Sequence, residues 1–302
     1  MDETALQEVL TRAYGRPVTV QGLRRDSGGA SRITTSFDAV ADRTYPLILR
    51  QAGPGQAAGI GLGLEAALMR AAIDQGVPTP SLVAAGQDYV VMARIEGETI
   101  PRRILRDPPA GLAAQCGEIL AAIHRIPPVA GLTGGDQLEL WRAVLDATGQ
   151  PRPALELALR RLELERPAAG RTTVVHGDFR NGNLIVGPDG VRAVLDWELA
   201  HLGDPLEDLG WLCAKPWRFG SPLPVGGFGE RDELVAAYEA AAGVTVDRDA
   251  LRWWELFGIL KWAIVCILQA QRHISGSERS VELAALGRRV AESEWDLLTA
   301  LG

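Results

Sequence analysis

Three early stretches, residues 18–24, 32–40 and 45–51, mix apolar and polar positions in short β-like runs separated by Gly, Ser, Asp and Pro. Short runs punctuated in this way predict three strands. From Leu64 the pattern changes. Leu64, Leu68 and Ala71 or Ala72 recur at helical spacing, which predicts a helix over residues 64–74. Val77-Pro78-Thr79-Pro80 ends it, because proline lacks a backbone donor and drives the preceding residue toward extended conformations. Two more strands are expected at 81–85 and 89–93. The first third thus reads as strands with one helix.

Beyond Glu96-Gly97 the periodicity is helical at 109–125, 136–148, 154–166 and from Asp232 onward, broken by one β-rich island at 173–197. The expected fold is α+β and bilobal: a small β-rich lobe over 1–93, a linker near 92–97, and a larger, mainly helical lobe over 94–302 holding one embedded hairpin. No internal repeat is present.

Bulk properties then remove several classes of function. A net charge of −7 over 302 residues argues against a general nucleic-acid or acidic-membrane binder, since both need a basic surface. Cys116, Cys213 and Cys266 lie far apart with no C-x-x-C spacing, which speaks against a zinc site or a disulfide framework and for a reducing compartment. The acidic, amphipathic N-terminal stretch is unlike a targeting peptide, and the most apolar run, 257–268, contains Lys261 and is too short to span a bilayer. The expected location is the cytoplasm, with no nucleic-acid or membrane partner.

The island carries the candidate chemistry. Val174-Val175 leads into His176-Gly177-Asp178, Asn183 follows Asp178 by five residues, and the turn Gly187-Pro188-Asp189-Gly190 sends the chain back to Asp196. A hairpin about Pro188-Asp189 returns Asn183 to within a residue or two of Asp196, so Asp178, Asn183 and Asp196 surround one small space. Two carboxylates and an amide there suit phosphoryl transfer. That reaction needs a base to take the proton of an attacking hydroxyl and oxygen ligands for a hard cation such as Mg²⁺. Asp178 at the loop tip suits the base; Asn183 and Asp196 suit the metal.

This spacing follows the kinase catalytic-loop pattern H-R-D-x-x-x-x-N with glycine in place of arginine. In that form it resembles the aminoglycoside phosphotransferase and choline kinase superfamily, whose fold is kinase-like. The stretch VLDWELAHLGDPLEDLGWLC resembles, more narrowly, the branch associated with acyl-CoA dehydrogenases. The resemblance spans essentially the whole chain and is sharpest from His176 to Phe219. It implies a base at Asp178, metal ligands at Asn183 and Asp196, and a second carboxylate ligand at Glu198, which on an extended chain would share the side of Asp196, a solvent-facing glutamate being the alternative for that residue. It further implies that His176 orients the loop and that Asp208 braces it. Asp204, ahead of Pro205, suits a helix cap. No long insertion separates Asp196 from the helix expected at 206–213, so the acceptor should be a small molecule with a hydroxyl and not a peptide.

For the donor, Gly28 and Gly29 flanked by Ser27 and Ser31 could bring backbone N–H groups and hydroxyls to phosphate oxygens, although Gly-Gly between strands also serves as a plain hairpin turn. The resemblance implies a strand lysine paired to a helix glutamate; here Arg50 holds the lysine position and Glu65 is the expected partner. Met92 to Arg94 and Ile95 match the hinge that reads a purine edge, with Ile185 and Leu195 as the floor for the base. The implied cofactors are Mg²⁺ and ATP or GTP.

Past residue 215 the signal thins. Trp217-Arg218-Phe219-Gly220 and Trp253-Trp254-Glu255 either line an acceptor cleft or pack in the interior, and Lys261 either reaches the surface or meets a carboxylate or substrate group. Arg102, Arg103, Arg106 and Arg218 favour an anionic acceptor, such as a hydroxyacyl-CoA, over a polycationic antibiotic. The branch resemblance adds a functional link to an acyl-CoA dehydrogenase. The alternatives are an aminoglycoside or other antibiotic phosphotransferase, a metal-dependent hydrolase, and an inactive kinase-shaped binding module.

Overall fold

The computed structural model describes residues 1–25, 32–53 and 59–301. Gly28, Gly29 and Ser31, expected at the phosphates, lie outside the described residues. The chain opens with α1 (Glu3–Tyr14), a helix in addition to the one expected in this region. Asp2 caps it by accepting from Ala5 N, and Leu6 and Leu10, one turn apart, are buried.

Five strands then form an antiparallel sheet in the order β1 (Thr19–Arg25), β2 (Arg32–Val40), β3 (Thr44–Ala52), β5 (Tyr89–Ala93), β4 (Leu82–Ala85). The side-chain alternation of β3 organises this region. Leu47 and Leu49 enter one core with Leu6, Leu10, Val20, Phe37 and Val91, whereas Ile48 and Arg50 point to the other face. On that other side lies α2 (Leu62–Asp74), bringing Glu65 toward Arg50.

The remainder is mainly helical, with α3 (Pro101–Ile104), α4 (Leu112–Ile123), α5 (Gln137–Ala147) and α6 (Pro153–Leu164) preceding the β-rich island. There the hairpin β7 (Leu184–Gly187) and β8 (Gly190–Val194) falls where the Pro-Asp turn predicts it. A pairing that periodicity did not reveal joins β6 (Thr173–Val175) to β9 (His201–Gly203). These strands are three residues long, too short to carry an alternation. After α7 (Leu206–Cys213) and α8 (Arg231–Ala242), α9 (Arg248–Ile274) forms a spine of 27 residues against which α5, α6, α7, α10 (Val281–Leu286) and α11 (Arg289–Leu301) pack. Among the described residues no helix is long and apolar enough to cross a membrane.

The two lobes are tied together close to the site. Ile60 N donates to Glu198 O at 2.8 Å across them, and within the larger lobe Glu98 and Val186 exchange backbone hydrogen bonds that join the segment after β5 to the hairpin. Helices α7 and α9 approach closely at Gly210, where a Cβ would stand 2.6 Å from the Trp254 backbone carbon. Gly210→Ala should therefore lose stability despite alanine's better helix propensity, by about 1–3 kcal/mol, because backbone cannot yield as a flexible side chain would. Chemical denaturation measures it; unchanged stability would contradict the close helix contact.

Candidate active site

The loop between β6 and β7 is held from below by one carboxylate. Asp208, in the first turn of α7 and fully buried, accepts from His176 N (2.8 Å) through Oδ2 and from Gly177 N (2.9 Å) through Oδ1. His124 Nε2 adds a third contact at 3.2 Å, and His124 Nδ1 meets Tyr238 Oη at 2.9 Å. Burial raises the Asp208 carboxyl, but these donors outweigh it and leave the pKa below the usual value. Gly177 has φ +78°, and a Cβ on it would stand 2.4 Å from Leu199 O, so only glycine fits between His176 and Asp178. Asp204 Oδ1 accepts from Leu206 N, the capping contact expected of it.

Burial lowers the pKa of His176, whose ring accepts from Asp178 N through Nδ1 (3.2 Å) and donates from Nε2 to Leu195 O (3.1 Å). The imidazole links both ends of the island and is turned away from solvent.

Asp178 stands at the loop tip. Its Oδ1 accepts from Arg180 Nε (3.0 Å) and from Trp211 Nε1 (2.8 Å); its Oδ2 accepts from Asn183 Nδ2 (2.6 Å). Asn183 lies in a 3-10 turn and Leu195 N donates to its carbonyl at 2.8 Å, so the hairpin returns the chain as the spacing predicts. Asp196 then adopts a left-handed conformation, φ 65° and ψ 67°, uncommon outside glycine.

Arg50 gathers the site from the opposite side. It donates from Nη1 to Glu65 and from Nη2 to Asp196 Oδ1 at 2.9 Å. Burial lowers the guanidinium pKa, but Glu65, Asp196 and Glu198 together raise it above the usual value, so it stays charged. Burial in turn pushes the Glu65 carboxyl up, with Arg50 offsetting only part, and Glu65 Oε2 is buried without a partner.

Between these groups opens a cavity of about 360 Å³ lined by Thr34, Ile48, Arg50, Met92, Arg94, Ile95, Asn183, Ile185, Leu195 and Asp196. Most nucleotide-pocket residues proposed from sequence therefore meet in one place. Two details differ from expectation. The N–H groups of Ala93 and Arg94 are bonded to Ser81 O and Pro46 O, so neither is free to donate to a base. Beyond Asp196 the chain does not continue extended: it enters a 3-10 turn at Trp197, and the Glu198 side chain, outside the cavity lining, meets Arg32 at 3.6 Å while its charge still acts on Arg50. The extended geometry that would align alternate residues is absent there.

Among the described residues no three His, Cys, Asp or Glu side chains gather to hold a metal. Asn183 and Asp196 alone fit Mg²⁺ nonetheless. Asp196 gives one oxygen to Arg50 and keeps the other, and Mg²⁺ is commonly held by one or two protein oxygens with phosphates and waters.

Sequence reasoning did not find Trp211 or Arg180 as partners of Asp178. It left Lys261 open. That ammonium is buried, donates to Gly177 O at 2.9 Å and pairs with Glu207 at 3.2 Å, so it meets a carboxylate and does not reach the surface. Burial raises the Glu207 carboxyl, but Lys261 and His201 outweigh it and hold the pKa below the usual value. Trp253 and Trp254 pack in the helical core, whereas Arg218, Phe219 and Gly220 line a separate large cleft.

A five-stranded sheet flanked by α1 and α2, set over a helical lobe whose hairpin carries the Asp, Asn and Asp set, is the architecture of a kinase-like phosphotransferase. The chain belongs to the phosphotransferase enzyme family, whose model matches residues 22–254. It is 26% identical over 99% of its length to mouse acyl-CoA dehydrogenase family member 10, of which it covers 31%; for the chicken family member 11 the values are 26%, 98% and 43%. The chain thus spans less than half the length of these curated relatives. A candidate aminoglycoside phosphotransferase of Ralstonia eutropha shares the fold with a TM-score of 0.75, 22% identity and 98% coverage of both chains. Spectinomycin phosphotransferase, solved with ADP and spectinomycin, gives 0.69, 14% and 98% of both. The protein is accordingly an α+β member of the phosphotransferase enzyme family with a kinase-like fold.

The contacts of Asp208 make a direct prediction. Asp208→Asn should cost about 3 kcal/mol, because an amide cannot replace a buried carboxylate that accepts from two backbone N–H groups and a histidine. Since the folded pKa is depressed, this stabilisation is complete above the ordinary carboxylate value of about 3.9 and is lost as pH falls through the lower folded value. Denaturant titrations of both proteins at pH 7 and at pH 3 should show the gap narrowing in acid; a pH-independent gap would contradict the charged role.

Proposed function

We propose that the chain transfers the γ-phosphoryl group of Mg-ATP to a small-molecule hydroxyl, with Asp178 as base, Asn183 and Asp196 as metal ligands, and Arg50, paired to Glu65, at the phosphates. The observation that carries the reading is the convergence of Asp178, Asn183 and Asp196 at the edge of the cavity reached by Arg50. ATP as donor is supported by the family and by relatives of the same fold solved with ADP or ATP; GTP is the alternative donor. The lobe boundary is placed after Ala93.

In this mechanism the purine of the nucleotide lies against Met92, Ile95, Ile185 and Leu195, and the donor phosphates run toward Arg50 and Asp196. Gly28, Gly29 and Ser31 are proposed to cover the phosphates. Bound Mg²⁺ would supply charge neutralisation across the phosphate oxygens. Asp178 orients the acceptor hydroxyl and takes its proton as the oxygen–phosphorus bond forms and the nucleoside diphosphate leaves. Arg50 stands in for the usual lysine as a fixed, permanently charged fork.

For the acceptor, an anionic molecule is favoured. A cleft of about 1180 Å³ contains Arg102, Lys215, Arg218, Arg288 and Arg289 against Glu292 and Asp296. The segment bearing Trp217 and Arg218 is tied to the catalytic loop, because Asn181 Nδ2 donates to Trp217 O and Gly226 O. A polycationic aminoglycoside would be repelled there, whereas a hydroxyacyl-CoA would be attracted by its phosphates. The names of the curated relatives support a functional link to an acyl-CoA dehydrogenase. An inactive binding module would have no need of the complete Asp178, Asn183 and Asp196 set.

Transfer of labelled γ-phosphate from Mg-ATP and Mg-GTP to aminoglycosides, choline-like alcohols, sugars and hydroxyacyl-CoA esters tests this reading. Transfer to the anionic class is expected, and transfer to aminoglycosides alone would contradict the acceptor assignment. Asp178→Ala should lower turnover by at least 100-fold, roughly the contribution of a general base, while sparing Mg-nucleotide binding. Asp196→Ala should instead weaken Mg-nucleotide binding about tenfold or more in an equilibrium titration, and unchanged affinity would remove Asp196 from the metal site.

A further inference from the structure

Eight tryptophans are present, and the buried ones use their indole N–H groups very differently. Among the described residues those of Trp141, Trp197, Trp217, Trp254 and Trp262 are buried without a hydrogen-bond partner, and that of Trp253 goes to a main-chain carbonyl, Leu162 O. Trp211 instead donates to a carboxylate, Asp178 Oδ1, at 2.8 Å. Its helix is held against α9 by the close approach at Gly210, and Gly258 of α9 faces its ring, where a Cβ would stand 3.3 Å away. The ring therefore has little room to turn.

The surroundings of that ring are also unusual. Lys261 Nζ lies 4.7 Å from its centroid while donating to Gly177 O, the carbonyl immediately before Asp178. A cation over an aromatic face is attracted to its π electrons and draws them toward itself, which makes the indole N–H a better donor. One buried ammonium thus steadies the loop through its backbone and, through Trp211, the carboxylate at its tip.

The lone pairs of Asp178 show the consequence. A carboxylate oxygen has about two acceptor positions. Oδ1 fills both, with Trp211 and Arg180; Oδ2 accepts from Asn183 and retains one. We infer that Trp211 is a positioning residue for the phosphoryl transfer: its indole N–H, backed by Lys261, occupies Asp178 Oδ1 and so leaves Oδ2 as the oxygen that receives the acceptor proton. In the step itself the acceptor O–H bond breaks, its proton passes to Oδ2, the oxygen–γ-phosphorus bond forms, and the bond from γ-phosphorus to the bridging oxygen breaks to release the nucleoside diphosphate. This inference rests on the reading of Asp178 as the base.

The test uses Trp211→Phe, which keeps an aromatic ring and deletes the N–H, alone and with Asp178→Ala, reading Mg-ATP turnover with water as acceptor. The expected result is a roughly ten- to hundredfold fall in kcat in Trp211→Phe, the usual scale for losing an outer partner of a functional group. KM for Mg-ATP should stay within about twofold, and in the Asp178→Ala background the same substitution should cost nothing more. Wild-type kcat in Trp211→Phe, or an equal loss in both backgrounds, would overturn the inference. Full turnover in Asp178→Ala would overturn the base assignment beneath it, which Trp211→Phe alone cannot do. A second readout does not depend on how the tryptophan variant folds: the assigned Trp211 indole proton resonance of the otherwise unaltered chain should move upfield in Asp178→Ala. A resonance that does not move would show that the indole does not bind this carboxylate.

Discussion

A single guanidinium shared by two carboxylates holds the candidate site together. Arg50 comes from a strand of the sheet, Glu65 from the helix beside it, and Asp196 from the far end of a hairpin in the other lobe. Two buried or half-buried carboxylates on one arginine leave an excess of negative charge that favours a further cation nearby. Asp196 meets Arg50 from a left-handed turn, a conformation that persists only where surrounding structure determines it. The ion pair therefore joins the lobes, orients one proposed metal ligand, and bears on the sign of charge the pocket attracts.

Beneath the loop a second set of buried charges does for Asp178 what Arg50 does for Asp196. Asp208 accepts from the backbone of His176 and Gly177, and Lys261, neutralised by Glu207, donates to the carbonyl of Gly177. Every buried charge here has an opposite charge or several hydrogen bonds, the condition under which such groups remain ionised in an interior. Rigid placement of a base and two metal-binding oxygens is most of what phosphoryl transfer asks of a protein. It is also why the long helix α9, remote in sequence from His176, contributes to the site.

Much of this was legible in the sequence because it is local. The strand over residues 32–40 has the observed bounds, the Pro-Asp turn folds the hairpin where it should, and the spacing from Asp178 to Asn183 and Asp196 brings the three together. Periodicity did not mark α1 as a separate helix although Asp2, Leu6 and Leu10 carry the cap and the buried stripe. Other features depend on contacts distant in sequence. Nothing around Trp211 signals a hydrogen bond to Asp178, and nothing around Lys261 names Glu207 as its partner. Glu198 shows where local spacing runs out: the chain after Asp196 is a 3-10 turn and not extended, and the side chain pairs with Arg32 beside the Arg50 cluster.

The account stands or falls on whether the cavity between the lobes takes a metal-bound nucleotide. Calorimetric titration of ATP into the protein, once with Mg²⁺ and once with EDTA, measures this without knowledge of the acceptor. The result predicted is saturable binding of one nucleotide per chain that weakens sharply when the cation is removed. Absence of nucleotide binding, or equal affinity with and without Mg²⁺, would contradict it.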